Sequence, residues 1–162
     1  MPISSYTSPD AIRAALGVSA LELKDATLSL QMYEDNLLLD LAEIGQGAAS
    51  ALAALVQTPS TDEVQLQFLR AGRLFATYSV ANHLLSALPL FSPKEITDGK
   101  ASLVRYADGP YNKVIEEVRA RYTQYQAAAA AAYAATQSAQ VTESRLPTYM
   151  RSSRGVDPVT GV

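Results

Sequence analysis

The residues that could do chemistry in this chain are few, and the search begins with its one histidine. His83 could act as a base or as a metal ligand, but a lone imidazole needs partners from elsewhere in the chain. Asp35, Asp40 and Glu43 are possible partners, yet they lack the Glu-x-x-His spacing of helical di-metal sites. The pattern therefore favours a structural or interfacial role for His83 and a solvated acidic face for the three carboxylates.

Other possible catalytic motifs do not match known signatures. Gly45-Gln46-Gly47 has neither the dinucleotide fingerprint nor the lysine of a P-loop. Ser79 has no nucleophile-elbow context, and Asn82 fits a polar contact better than an oxyanion donor. Cysteine is absent, which removes disulfides and thiolate chemistry. We predict that the protein is not an enzyme and needs no cofactor or metal.

Helix start and stop signals are clear in the first third of the chain. Ser8-Pro9-Asp10 predicts a capped helix that ends at Gly17 in the left-handed conformation. Ser19 and Glu22 have capping-box spacing, but a break at residues 25–27 leaves room for only a turn or two. A longer helix is predicted from about Ser29 to Ile44, followed by a short alanine-rich helix from Ala48 to Val56.

Two long helices are predicted in the remainder of the chain. The first is capped by Ser60 or Thr61 and ends near Leu88, and the second begins at Asp108-Gly109-Pro110 and ends near Gln137. The fold class is therefore all-α: a helical bundle of three longer helices plus short N-terminal helices. Residues 101–106 alternate enough to form a small hairpin or a loop edge.

Tyr122, Tyr125 and Tyr133 recur along the last helix. They could stack bases of single-stranded nucleic acid, but few cations lie between them, so core or subunit-interface packing is favoured. The alanine run at residues 127–132 has two open interpretations: simple helix propensity, or close approach of a neighbouring subunit.

The connector between the two long helices is the first candidate contact region. An extended loop is predicted at residues 92–108, and loops of this length are usually functional. Its nearly balanced charge suits salt bridges to a protein better than phosphate binding. The candidate residues, for contact with another subunit or a protein partner, are Lys94, Glu95, Asp98, Lys100 and Arg105.

The C-terminal segment is the second candidate contact region. Helical periodicity stops at Ala139, so we predict a helical domain over residues 1–138 and an extended arm over residues 139–162. Arginine, tyrosine and methionine are enriched at interface cores. The candidate binding residues of the arm are Arg145, Leu146, Tyr149, Met150, Arg151 and Arg154.

Composition limits the function classes. The net charge of −3 argues against a dedicated nucleic-acid binder. The N-terminus lacks the pattern of a secretory signal, and the longest apolar run is too short to cross a bilayer, so no membrane partner is predicted.

Two stretches resemble the head-to-tail connector (adaptor) proteins of tailed phages, in particular podophages. The first is SPDAIRAALGVSALELKDATLSLQMYEDNLLLDLAEI, with a short helix ending in Leu-Gly-Val, a Glu-Leu/Asp turn and a long helix. The second is ANHLLSALPLFSPKEITDGKASLVRY, followed by Pro110-Tyr111. The resemblance covers roughly residues 8–126 and rests on the order of the pieces more than on any one of them.

The resemblance implies a structural virion protein at the head–tail junction, assembled in the host cytoplasm. Its relatives form a ring, usually of twelve subunits, below the portal protein. The genomic DNA passes through the channel without sequence-specific binding, and a tail tube or nozzle protein docks beneath. The resemblance also implies that the arm of residues 139–162 contacts the portal, and that the extended loop of residues 92–108 contacts another subunit or the tail.

Three other functions compete with this interpretation. The main alternative is a small helical scaffold or regulatory protein that binds a protein partner. An enzyme using His83 and the acidic helix would need substrate or metal effects on stability, and a nucleic-acid-binding module would show strongly salt-dependent affinity for DNA.

Overall fold

A computed structural model describes residues 3–87, 95–97, 102–104 and 108–144, with side chains described for residues 3–87 and 112–139. The described chain is a mainly α-helical bundle, which confirms the predicted fold class. It opens with a 3₁₀ turn, Ile3–Ser5, and then forms helix α1 over Pro9–Leu16. Ser8 Oγ accepts a hydrogen bond from the Ala11 amide at 3.2 Å, and Gly17 ends the helix with φ of 66°, both as predicted.

The segment after α1 differs from the prediction. Asp25–Leu28, where a break was expected, forms the short helix α2. The buried Arg13 side chain holds it in place by donating from Nε to the Leu23 carbonyl at 2.8 Å and from Nη2 to Asp25. Helix α2 thus depends on a side chain twelve residues away, which local sequence signals do not reveal. The Ser19–Glu22 capping-box contact does form, at 2.7 Å from the Ser19 amide.

Helices α3, α4 and α5 follow at Gln31–Ile44, Ala48–Gln57 and Glu63–Leu84. The cap of α5 is neither Ser60 nor Thr61 but Asp62, whose carboxylate accepts from the Val64 amide at 3.1 Å. Ser60 supports the turn before it, because its hydroxyl accepts from the Asp62 amide at 3.0 Å. Helix α5 also ends earlier than predicted.

Residues 101–106, predicted to form a small hairpin or a loop edge, contribute one strand of a hairpin whose other strand was not predicted. Strands β1, Glu95–Thr97, and β2, Ser102–Val104, pair antiparallel, with Glu95 opposite Val104. The last helix, α6, covers Asp108–Ser144 and begins at the predicted residue.

Helix α5 lies at the centre of the bundle and is buried on most sides in its second half. It runs antiparallel to α6, since Phe68 contacts Tyr133 with ring centroids 5.1 Å apart, while Phe75 contacts Tyr122 at 5.5 Å. At its other side, Thr7 meets Thr77 with 2.5 Å between the hydroxyl oxygens. The N-terminal segment and the last helix are therefore both fastened to α5.

Helices α4 and α5 approach each other closely at Gly72. A Cβ added at Gly72 of α5 would lie 2.7 Å from Leu52 Cδ1, so glycine lets α4 pack against α5 at this point. Within the described residues, no single helix has the length and apolar character to span a membrane. Only α3 and α4 taken together, bent by 108° at their junction, pass that test of length and composition.

Candidate functional site

The predicted contact residues of the connector fall mostly outside the described residues. Glu95 is in β1, where its backbone pairs with Val104. The remaining four, Lys94, Asp98, Lys100 and Arg105, lie outside the described residues. Their role in contact with another subunit or the tail stays a prediction.

The boundary of the predicted C-terminal arm needs a correction. Residues 139–144 are helical, because α6 continues to Ser144 and the arm can begin only after it. The sequence of residues 139–144 has no apolar periodicity, which is why the helix was predicted to end earlier. The six candidate residues, Arg145, Leu146, Tyr149, Met150, Arg151 and Arg154, lie beyond the described residues.

Helix α6 extends beyond α5 at both ends. From the Phe75–Tyr122 contact, α5 continues only to Leu84, whereas α6 reaches back to Asp108. At the other end α5 begins soon after Asp62, whereas α6 continues to Ser144. With 37 residues, α6 is about 55 Å long, against about 33 Å for the 22 residues of α5. The connector therefore enters α6 at one end, and the C-terminal segment leaves it about 55 Å away.

Tyr122, Tyr125 and Tyr133 of α6 pack against α5. Tyr122 and Tyr133 contact phenylalanines of α5, and Tyr125 contacts Tyr78 with centroids 5.3 Å apart. Rings used in this way cannot also present a stacking platform, and core packing is confirmed over base stacking. In the alanine run, Ala129 is buried while Ala127, Ala128 and Ala131 are exposed. Close approach of a neighbouring subunit to the exposed alanines stays a prediction.

A polar cluster joins α3, α5 and α6. Asp40 of α3 is 13% exposed and accepts hydrogen bonds from Ser79 Oγ at 2.6 Å and His83 Nε2 at 3.1 Å. Tyr122 of α6 lies beside the same carboxylate. The predicted solvated acidic face is right for the exposed Asp35 and Glu43 but wrong for Asp40.

The electrostatics of the cluster follow from these contacts. Burial alone would raise the pKa of Asp40, but the hydrogen bonds from His83 and Ser79 and the charge of His83 outweigh it, so the pKa is lowered. Burial, followed by the charges of Asp40 and Glu43, raises the pKa of Tyr122 to about 12. The folded protein therefore favours an ionised Asp40 facing a neutral Tyr122.

This arrangement has the residue types of a hydrolytic triad but not its geometry. Ser79 is fully buried and donates to Asp40, so its hydroxyl is not directed at His83 as a nucleophile would be. Both Ser79 and His83 share one carboxylate and stand one turn apart on α5. The cluster fits a structural junction between three helices, as predicted for His83. Ser79 and His83 are four residues apart among apolar residues of the helix, and this spacing was the signal in the sequence that could have indicated a buried polar partner such as Asp40.

Gly45 and Gly47 also have a structural role. Tyr133 of α6 donates its hydroxyl to the Gln46 carbonyl at 2.6 Å, and a Cβ at Gly45 would lie 2.8 Å from the Tyr133 ring. Gly47 has φ of 82°, where glycine is favoured. The turn of residues 45–47 thus holds the Tyr133 side chain against α3 and α4. Among the described residues, no group of three or more His, Asp or Glu side chains could hold a metal ion.

Several apolar side chains are exposed on the described surface. On α3, Met32 is 56% and Leu39 is 67% exposed, and Leu74 of α5 is 43% exposed. Leu21 and Leu30, in the turns before α2 and α3, are exposed as well. Sequence periodicity did not single out these residues, because exposed leucines inside a helix are easily counted with the core.

Comparisons with known proteins do not assign a family to this chain. No protein-family model, no curated protein and no solved structure matches it.

Proposed function

We propose that the protein is a structural component of a phage virion that forms a ring, of twelve subunits in the resembled family, between the portal vertex and the tail. The genome passes through the channel of this ring. The proposal rests on the order of the sequence pieces that resemble connector proteins, and on a fold of the kind which that resemblance implies.

The observation that carries the proposal is the length and position of α6. One continuous helix of 37 residues joins the connector at its first residue to the C-terminal segment after its last. The two candidate contact regions are therefore attached about 55 Å apart along one rigid element. A protein that must hold one assembly above it and another below it needs contact regions separated in this way.

The mechanism is then geometric. A contact surface that meets a different surface on the next copy closes under rotation into a ring. Several C-terminal segments that bind one portal together give avidity that a single segment does not have. The net charge of −3 suits a channel for DNA, since strong attraction to phosphates would slow passage.

Electron microscopy of the purified protein mixed with the portal protein of the same genome tests the proposal. We expect a second ring stacked on the portal, with defined symmetry. A folded protein that does not bind the portal would contradict it, and the helical scaffold protein that binds some other partner would become the first interpretation.

A truncation tests the C-terminal segment separately. Removing residues 145–162, which retains all of α6, should leave thermal unfolding unchanged and reduce portal binding at least tenfold through lost avidity. The matched variant retains the segment and replaces Arg145, Arg151 and Arg154 by alanine. Undiminished binding by both proteins would contradict the role of the segment.

Substitutions in the connector test the contact region at the start of α6. Lys94→Glu, Lys100→Glu and Arg105→Glu should disturb ring assembly or tail docking, because the balanced charge of the loop would be lost. The melting temperature should change little. A large fall in melting temperature with normal assembly would show that these residues serve the fold instead.

A further inference from the structure

The surface of α3 opposite the core combines exposed apolar and acidic side chains. Tyr33, Leu37 and Leu41 face the core, while Met32 and Leu39 lie on the far side. The exposed Asp35 and Glu43 flank these two side chains on the same side. We name Met32, Asp35, Leu39 and Glu43 the acidic ridge.

The charged residues around α3 in the sequence are all acidic. Residues 25–69 contain no lysine or arginine, while their acidic residues are Asp25, Glu34, Asp35, Asp40, Glu43, Asp62 and Glu63. Asp35 accepts from Gln31 at 2.9 Å and Glu43 from Gln126 at 3.0 Å, so their described partners are neutral amides. A partner that covers the acidic ridge must therefore bring positive charge together with apolar surface.

Helix α5 carries a surface of that kind. Its exposed side presents Arg70, Arg73 and Leu74, which we name the basic patch. Arg70 is 70% exposed, and its ion pair with Glu63 is long, at 3.8 Å. Arg73 and Leu74 also line a cavity of about 370 Å³ beside the N-terminal segment, bordered by Ser4, Tyr6 and Thr7. The cavity has room for a leucine or methionine side chain.

The two surfaces also agree in length. The 14 residues of α3 extend about 21 Å, and the exposed side of α5 between Glu63 and Leu74 extends about 18 Å. Helices of this length can lie side by side over their whole extent. In contrast, Arg119 and Arg121 of α6 are accompanied by Glu116 and Glu117, and Arg121 pairs with Glu117 at 4.0 Å.

We propose that the acidic ridge of one copy docks on the basic patch of a second copy of this chain. Leu39 enters the cavity beside Leu74, Met32 packs along the same exposed side of α5, and Asp35 and Glu43 face Arg70 and Arg73. Because the two surfaces differ, each copy can bind two neighbours, which is the head-to-tail contact that closes into a ring. As the contact between subunits, this inference rests on the proposed function, although it can be tested on the chain alone.

The absence of cysteine from the chain allows a direct test by crosslinking. Leu39→Cys and Leu74→Cys are made as separate proteins and mixed under mild oxidation. We expect a disulfide-linked pair between the two variants to form at least tenfold faster than between Leu39→Cys and Leu21→Cys, whose position is 89% exposed but outside both surfaces. Equal rates in the two mixtures would overturn the proposal.

Charge reversal provides the second test. In Asp35→Lys/Glu43→Lys the ridge is basic, and in Arg70→Glu/Arg73→Glu the patch is acidic. Either variant alone juxtaposes like charges and should lose self-association, measured by analytical ultracentrifugation of folded protein. A one-to-one mixture should recover it, since every junction between the two variants is again complementary. Self-association that is unaltered in the single variants, or unrestored in the mixture, would overturn the contact.

Portal binding separates this inference from the proposed function. If charge-reversed proteins still form a normal ring on the portal, the adaptor function stands and the ridge–patch contact is wrong. If the cysteine pair crosslinks as expected but no ring forms on the portal, the contact is right and the proposed function is wrong.

Discussion

Leu39 and Asp40 are neighbours on α3 with environments opposite to those expected from their polarity. The leucine is 67% exposed, whereas the aspartate side chain is only 13% exposed and is bonded to Ser79 and His83. The difference teaches that polarity alone does not assign a role on this helix. The inward polar group is bonded to partners within the chain, whereas the outward apolar group is exposed to solvent.

The largest expected effect comes from removing the inward group. Asp40→Ala leaves Ser79 and His83 without their shared acceptor and should lower the free energy of unfolding by about 2–3 kcal/mol. Leu39→Ala should change it by less than about 0.5 kcal/mol, because little area is buried there. Urea unfolding of both variants makes the comparison, and similar losses would abolish the distinction between the two faces.

The end of α3 should be nearly as sensitive. Gly45→Ala places a Cβ 2.8 Å from the ring of Tyr133, and the forced displacement should cost about 1–3 kcal/mol. Gly17→Ala is the matched control, since it has no neighbour within 4 Å and should lose only about 1 kcal/mol through its left-handed backbone. Thermal unfolding of the two variants would reveal the contact by the larger loss at Gly45.

Acid should weaken the inward face selectively. The folded state lowers the pKa of Asp40, so its stabilisation is complete above the ordinary value of 3.8 and is lost as the pH falls through the folded value. The free energy of unfolding should therefore fall more steeply below pH 3.8 in the unchanged protein than in Asp40→Asn. Parallel pH profiles for the two proteins would mean that Asp40 gains nothing from its partners.

The smallest effect is expected in alkali. The pKa of Tyr122 is raised from 10.0 to about 12, so its contribution is complete below pH 10 and declines as the pH rises toward 12. Tyrosinate absorbance is measured against pH for the unchanged protein and for Tyr122→Phe. The difference between the two curves should correspond to one phenol that titrates near pH 12. A difference that titrates near pH 10 would place Tyr122 outside the cluster.

Local signals in the sequence predicted local structure well. Ser8-Pro9 and Gly17 mark the ends of α1 correctly, because caps depend on a few adjacent residues. The start of α6 at Asp108 was predicted for the same reason. At α5 the capping turn was found, but the choice among adjacent polar residues was not, since Asp62 rather than Ser60 or Thr61 reaches the Val64 amide.

Features that depend on partners far away in the sequence were not predicted. Asp40 was assigned to a solvated face because its partners stand 39 and 43 residues away in sequence. Helix α2 needs Arg13, and the last turns of α6 have no apolar face to report their presence. Periodicity detects burial against a neighbour, and it fails where a helix is held by one polar side chain or continues past its neighbour.

The antiparallel pairing of α5 and α6 has a consequence for sequence variation. The two helices are held together by their own ring contacts, so the chain between them, residues 85–107, closes a loop whose ends are fixed independently of its sequence. The entropy of loop closure grows only logarithmically, and doubling the length of such a segment costs roughly 0.6 kcal/mol. Insertions or exchanges there should leave the stability of the bundle nearly unchanged, so this segment can tolerate more sequence variation than the helices that it joins.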